Sequence, residues 1–310
     1  MHQAMKINFN QFYIQLGFVA LVFTASISNS TAQINPLGAQ YFHNQYLANP
    51  AMAGYRGGMR LNLGYRNQSD NIPGSPKNLS VTGDYGTERV GVGINFFKDE
   101  AGLFNRSRLQ GTYAYHLPLD DSQKLHCGIS LGIQTERLNN QAIVGSPNDQ
   151  VVISFNDQES ILDGDFGMAY TSSTFSIMGS ISNLSRQLKI EDEQTADFGM
   201  FYTAVGYKIK LTDWHVEPKV AYRGFLNFQN ILDVGAEIST SSDQLLFMSM
   251  YHSNKTMSFG ISYHQKKDWK LFLMYNNPTQ ELKSYATGTF EIGLQLILIK
   301  KLINRDEFIY

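Results

Sequence analysis

From Met59 onward, apolar and polar residues change places with a period of two. Met59, Leu61, Leu63 and Tyr65 alternate with Arg60, Asn62, Gly64 and Arg66. Leu125, Cys127, Ile129, Leu131 and Ile133 alternate with His126, Gly128, Ser130, Gly132 and Gln134. Met257, Phe259, Ile261 and Tyr263 oppose Ser258, Gly260, Ser262 and His264. Successive strand side chains point to opposite faces, so this pattern specifies strands with one apolar and one polar side. It predicts fourteen of them, at 59–66, 78–85, 89–97, 106–117, 124–136, 163–171, 175–184, 197–209, 214–223, 230–238, 244–251, 256–264, 269–275 and 285–299.

A β-sandwich also alternates, but two features favour a barrel in a membrane. Nearly every strand keeps one phase free of charge, and most are close to the ~9–11 residues that a tilted strand needs to cross a bilayer. The connections alternate in length as well. The odd ones are 67–77, 98–105, 137–162, 185–196, 224–229, 252–255 and 276–284; the even ones are 86–88, 118–123, 172–174, 210–213, 239–243 and 265–268. Outer-membrane barrels have an even strand number, short periplasmic turns and long outer loops. The expectation is thus an all-β, antiparallel transmembrane barrel with both ends of the barrel sequence in the periplasm and 137–162 outside. Tyr65, Tyr222 and Tyr275 would mark the outer aromatic rim, and Tyr85, Tyr170, Tyr263, Trp214 and Trp269 the inner one. Two places resist: 244–251 is apolar on both faces (Leu245, Leu246, Phe247, Met248), and Pro218 withholds a ladder donor inside a strand unless a bulge absorbs it.

Ahead of the strands, Lys6, the apolar run Leu16–Phe23 and the small residues Ser30-Thr31-Ala32 read as a signal peptide over 1–32. The apolar run is too short to span ~30 Å of hydrocarbon. This divides the chain into 1–32, a segment 33–58, and a barrel over 59–310. Cys127 is the single cysteine, which excludes an internal disulfide framework and a cysteine zinc cluster. With a net charge of −2, the chain has no broad attraction for nucleic acid.

Chemistry-bearing motifs are sparse. The histidines lack ligand spacing; His116 and His126 flank one turn and read as solvated rim residues rather than a metal pair. Asp163 with Asp165, Glu191 with Glu193, and Asp157 with Glu159 resemble calcium ligands only if loops wrap them, and solvated charge is the simpler reading. There is no nucleophile elbow, P-loop or dinucleotide fingerprint. Gly91, Gly93, Gly128 and Gly132 read as small residues facing the lumen. Arg60, Arg66, Arg106, Arg108, Lys219 and Arg223 share the lumen phase, with Asp84, Glu217, Asp233 and Glu237 as their default partners. No catalytic group, cofactor or metal is expected.

The stretch Gln40-Tyr-Phe-His-Asn-Gln-Tyr-Leu-Ala-Asn-Pro-Ala-Met-Ala-Gly54 resembles the opening of the PorP/SprF outer-membrane proteins of the type IX secretion system. Tyr65-Arg-Asn-Gln68, Pro73-Gly-Ser-Pro-Lys77, Gly91-Val-Gly-Ile94, Lys98-Asp-Glu-Ala-Gly102 and Tyr113-Ala-Tyr-His-Leu-Pro118 follow in the family's order. Asp165-Phe-Gly-Met-Ala-Tyr170, Ala204-Val-Gly-Tyr207, Glu217-Pro218 and Gly288-Thr-Phe-Glu-Ile-Gly293 complete the match over the mature chain. Gly288-Thr-Phe-Glu291 departs from an expected Gly-Ser-His-Glu, and a tryptophan expected after Gln68 is missing.

The resemblance implies a non-enzymatic outer-membrane barrel that helps to secrete or retain a partner adhesin with a type B C-terminal domain, serving gliding motility in some relatives. It also implies, for some members, a link to a periplasmic peptidoglycan-binding lipoprotein. Candidate partner-contact or family-motif residues are Gln40, Tyr41, Phe42, Asn49, Pro50 and Gly54 in the segment 33–58, and Asp157 and Glu159 within the loop stretch 141–159. The segment suits docking into the lumen as a plug or onto a periplasmic partner, or simply closes the barrel base. A diffusion or transport barrel and a barrel hydrolase are the competing functions.

Overall fold

In a computed structural model, the chain is described at residues 38, 40–68, 74–140, 142–143, 149–187, 200–225, 229–265, 268–278 and 288–299. The expected leader 1–32, Glu191 with Glu193, and parts of 141–159 lie outside these residues.

The strands are β1 (Gly58–Gln68), β2 (Lys77–Gly86), β3 (Val90–Ala101), β4 (Phe104–Pro118), β5 (Lys124–Leu138), β6 (Ile161–Thr171), β7 (Phe175–Ile181) and β8 (Met200–Tyr207). They continue as β9 (Ile209–Lys210), β10 (Trp214–Phe225), β11 (Ile231–Thr240), β12 (Leu245–His252), β13 (Thr256–Gln265), β14 (Trp269–Pro278) and β15 (Thr289–Ile299). Apart from β8 and β9, each pairs antiparallel with its sequence neighbour, and β15 returns to pair with β1, Leu63 opposite Leu294. β8 and β9 both pair with β10, so they form one interrupted stave and the closed barrel has fourteen.

What separates this barrel from a sandwich is which face is hidden. The enclosed phase is polar: Thr82 and Ser258 are fully buried, as are Asn62, Gln110, Ser130 and Ser180 nearly so. The outward phase is apolar and bare, with Ile94 61% and Leu131 62% exposed. So much contiguous apolar surface around a whole girth requires lipid. Of the residues expected at the aromatic rims, Tyr65, Tyr85, Tyr222, Tyr263, Tyr275 and Trp214 face outward, while Tyr170 and Trp269 are half-buried.

Three local differences from the sequence expectation have physical causes. The connection expected over 98–105 is a tight hairpin at Gly102 and Leu103, with Gly102 at φ +60°. Its ladder outlasts the apolar alternation because polar residues pair across it, Asp99 opposite Arg106. Pro218 needs no bulge. The β10 ladder to β8 and β9 lapses at Glu217 and Pro218, opposite Tyr207 and Lys208, and resumes in register on either side. The Lys208 amide bonds instead to the Thr174 carbonyl, 2.6 Å away. β12 is apolar on both faces because its inward Met248 and Met250 meet an apolar group inside the barrel.

Candidate functional site

That group is the segment preceding β1. Residues 40–57 run through the lumen as a strap of three single-turn 3-10 helices, Gln40–Phe42, Gln45–Leu47 and Pro50–Met52. Local chemistry sets the third turn: the Asn49 side chain accepts from the Ala51 amide at 2.9 Å, and Pro50 supplies a preset φ at the first position. Gly54 and Gly57, both at φ +69°, then turn the chain into β1.

The strap is stitched to the wall around much of the girth. Tyr41 Oη donates to Asp233 of β11 and lies 3.7 Å from Met250 Sδ of β12. Ser80 Oγ of β2 donates to Gln40 Oε1 at 2.8 Å, and Asn44 Nδ2 donates to Thr82 Oγ1 at 2.8 Å. Tyr46 Oη donates to Thr112 Oγ1 of β4 at 2.7 Å. Asn49, fully buried, donates to the carbonyls of Met168 in β6 and Gly179 in β7 at 3.0 and 3.1 Å. Ser180 Oγ donates to the Ala48 carbonyl, and the Gly54 amide donates to Asp84.

Inward glycines let the backbones come this close. A methyl group at Gly128 would fall 2.5 Å from the Pro50 carbonyl oxygen. Gly86, Gly91 and Gly167 are blocked likewise by Gly54, Ala53 and Asn49. On the strap side, Ala48, Ala51 and Ala53 present small surfaces to that cradle.

His116 and His126 are each only 1% exposed, so they are not the solvated rim pair that sequence spacing suggests. Their proton positions follow from one acceptor. The Ala53 carbonyl must receive a proton from His116 Nε2, 3.0 Å away. Neutral His116 then accepts at Nδ1 from His126 Nδ1, at 2.8 Å, and His126 Nε2 accepts from Thr171 Oγ1, at 2.8 Å. The pair thus relays a hydrogen-bond chain from the wall to the strap. Among the described residues no three potential ligands gather to hold a metal.

Of the six lumen cations expected from the sequence, all but Arg60 are paired with carboxylates, often with partners the sequence did not single out. Arg223 holds Asp233 with two bonds at 2.8 and 2.9 Å, and His252 adds a third at 2.5 Å. Arg106 meets Glu136 at 2.6 Å and Asp99 at 3.6 Å. Arg108 bridges Asp163 and Asp165 at 2.9 and 2.7 Å, so this acidic pair serves the barrel interior rather than a loop ion. Arg66 faces Glu291, 3.4 Å away. Lys219 lies between Glu217 and Glu237 at 3.2 and 3.1 Å, whereas Asp84 is taken by the strap and Arg60 by the Gly57 carbonyl.

Burial and the charge of Asp233 push the Tyr41 phenol well above its ordinary range. Burial, then the nearby cations Lys270, Lys219 and Arg56, hold His43 well below the ordinary imidazole range and keep it neutral.

Of the candidate residues, Gln40, Tyr41, Phe42, Asn49, Pro50 and Gly54 are all buried inside the barrel and touch its wall. Asp157 and Glu159 are exposed on the long connection after β5. That connection carries a short helix, Gln150–Asn156, capped by Asp149, whose carboxylate accepts from the Val151 amide at 2.9 Å. Its Val151 is 75% exposed, and Asn156 fastens the helix back to Leu138 of β5.

A family model described as type IX secretion system membrane protein PorP/SprF matches residues 30–296. No curated protein matches the chain. Among solved structures, the CymD monoaromatic hydrocarbon channel is similar at 12% identity, covering 86% of this chain and 94% of its own, with a TM-score of 0.50. The Ralstonia pickettii toluene transporter TbuX (11% identity, 87% and 95% covered, TM-score 0.48) and the Acinetobacter baumannii outer membrane protein Omp33 (6%, 79% and 99%, 0.46) are similar as well. At such identities the likeness to CymD speaks for the barrel fold alone.

Proposed function

The chain belongs to the PorP/SprF family of type IX secretion system membrane proteins, and from that premise we propose that it is a closed outer-membrane barrel that helps to export or retain a partner surface protein. The observation that carries this reading is the strap. A diffusion barrel needs a passage, yet here the lumen is crossed by a segment bonded to β2, β4, β6, β7 and β11. What remains available to a partner is the two ends of the barrel.

In this reading, residues 1–32 direct export and are removed, and the short turns face the periplasm. The long connections face outward. There 137–162 offers the helix Gln150–Asn156, with exposed Val151, Asp157 and Glu159, to an exported adhesin with a type B C-terminal domain. A periplasmic peptidoglycan-binding lipoprotein would meet the opposite mouth. Function in the absence of any catalytic step agrees with the family and with neighbours that are secretion and transport barrels.

The test is to replace 141–159 with a short Gly/Ser linker. The barrel should still migrate as a compact, heat-modifiable band, while surface-retained adhesin falls severalfold; unchanged surface adhesin would refute the loop assignment. Planar-bilayer recording separates the transport alternative, because the intact chain should be electrically silent.

A further inference from the structure

The strap leans toward β2–β7 and leaves a cavity of about 390 Å³ on the other side, opening at the short-turn mouth. Its walls include Arg56, Lys208, Lys219 and Lys270, against Glu217, Glu237 and Asp243, with His43, His215 and His264. A smaller cavity, of about 80 Å³, lies near the long-loop end, where Arg106 and Arg108 contact Asp99 and Asp165 in mutual ion pairs. The larger one is not balanced in that way. Lys219 has its two glutamates, and Lys208 and His215 share Asp243 at 3.9 and 3.3 Å. Among the described residues, Lys270 has no carboxylate partner; its ammonium lies 3.4 Å from His43 Nδ1. The guanidinium of Arg56 is bonded to the Tyr55 hydroxyl rather than to an acid.

His43 makes the imbalance specific. Its ring stacks on Phe272 at 4.7 Å and is only 8% exposed. Lys270 has protons only to give, so His43 Nδ1 accepts and the ring proton sits on Nε2. That buried Nε2 has no partner, and neither does Nε2 of His264 on the same cavity wall. A native protein rarely leaves such a donor unused, since burial without an acceptor is costly.

We infer that this vestibule is an anion-binding site for a carboxylate, received by Lys270 and Arg56 beside the buried His43 ring. A carboxylate fits the charge count: four cations against three acids leave a formal +1, which one monoanionic group neutralises. A dianionic phosphate would face Glu217, Glu237 and Asp243 with charge to spare. The volume lies within the ~300–1,000 Å³ of small-ligand sites, enough for a free organic acid or an acidic side chain on an entering peptide. The inference goes beyond the partner reading above and holds whichever mouth faces the periplasm.

The test uses the full chain purified in detergent and a dye-labelled acidic tetrapeptide containing one Glu, followed by fluorescence anisotropy. Saturable binding that weakens with added salt is expected, with its Glu→Gln counterpart inert. Lys270→Gln should weaken binding by about tenfold or more, the loss of one charge-assisted hydrogen bond. Lys208→Gln, whose charge is already spent on Asp243, should change it less than about twofold. Competition by acetate as strong as by unlabelled peptide assigns the site to free acids; competition by peptide alone assigns it to a peptide carboxylate. Equal binding of the Gln peptide, wild-type affinity in Lys270→Gln, or stronger competition by inorganic phosphate at equal ionic strength overturns the proposal. Should Lys270→Gln not give a heat-modifiable barrel, Arg56→Gln, outside every strand, carries the same expectation.

Discussion

At the depth of the strap, the lumen beside β2–β7 is filled by backbone, whereas beside β8–β14 it opens toward the short turns into a vestibule lined by charge. On the first side, glycines and small strap residues bring main chains into contact, and neutral donors such as Asn49 and Ser180 satisfy carbonyls. On the second, long cationic side chains reach across open space, and the strap touches the wall chiefly through Tyr41, Phe42 and His43. The filled side holds shape and the open side holds potential. The two differ because a gap closed by backbone tolerates no added atom, whereas a vestibule lined by Lys and Glu rearranges at small cost.

The most damaging way to break this contrast is to remove the buried charge that anchors the strap to the open side. Asp233 accepts from Arg223, His252 and Tyr41 together, and none of these has solvent to turn to. Asp233→Ala strands the Arg223 cation and should cost about 3–5 kcal/mol. Urea unfolding of the refolded barrel in detergent checks this. A loss below ~1 kcal/mol would mean that water reaches the network.

A smaller effect sharpens the filled side. Gly128→Val places methyl groups where the Pro50 carbonyl lies and should cost ~1–3 kcal/mol by overpacking. The readout that matters is local: the strap should become a site of proteolysis and the silent barrel should conduct. Asn49→Ala removes a turn cap and two bonds to wall carbonyls, and about 1–2 kcal/mol of stability. It should loosen the strap without adding bulk, so conductance without a large shift in barrel unfolding is expected.

The wall of the barrel was legible in the sequence because strand period and lipid exposure write the same signal twice. Leu131 between Ser130 and Gly132 specifies both the strand and which side faces out. The strap was not legible in that way. Its 3-10 turns carry no period of two, and Tyr41 or Asn49 suits a lumen, a barrel base or a partner equally well by type. Two signals did point inward: Leu246 and Met248 on a strand with no polar face, and the glycines in the lumen phase at 91, 93, 128 and 132. Neither names the strap, but together they state that something apolar and close-packed lies inside. The ion pairs needed register as well as type. Arg108 with Asp163 and Asp165 joins β4 to β6 across the whole width of β5, which no spacing within one strand reveals.

The finest probe of the contrast is a substitution expected to do almost nothing to the fold. Lys270 faces the vestibule, lies 3.4 Å from His43 Nδ1, and has no carboxylate in ion-pair contact among the described residues. Lys270→Gln removes a charge set among two acids, Glu237 and Asp243, and two cations, Arg56 and Lys219, and keeps a group able to donate to His43 Nδ1. Its effect on unfolding should therefore stay within ~0.5 kcal/mol, as for an unpaired surface charge. The same change at Arg223, on the strap's buried anchor, should resemble Asp233→Ala. If Lys270→Gln destabilises the barrel by as much as the Arg223 change, the vestibule is part of the packing and the two sides of the lumen are not different in kind. If it leaves stability intact, the cation is held for something other than the fold.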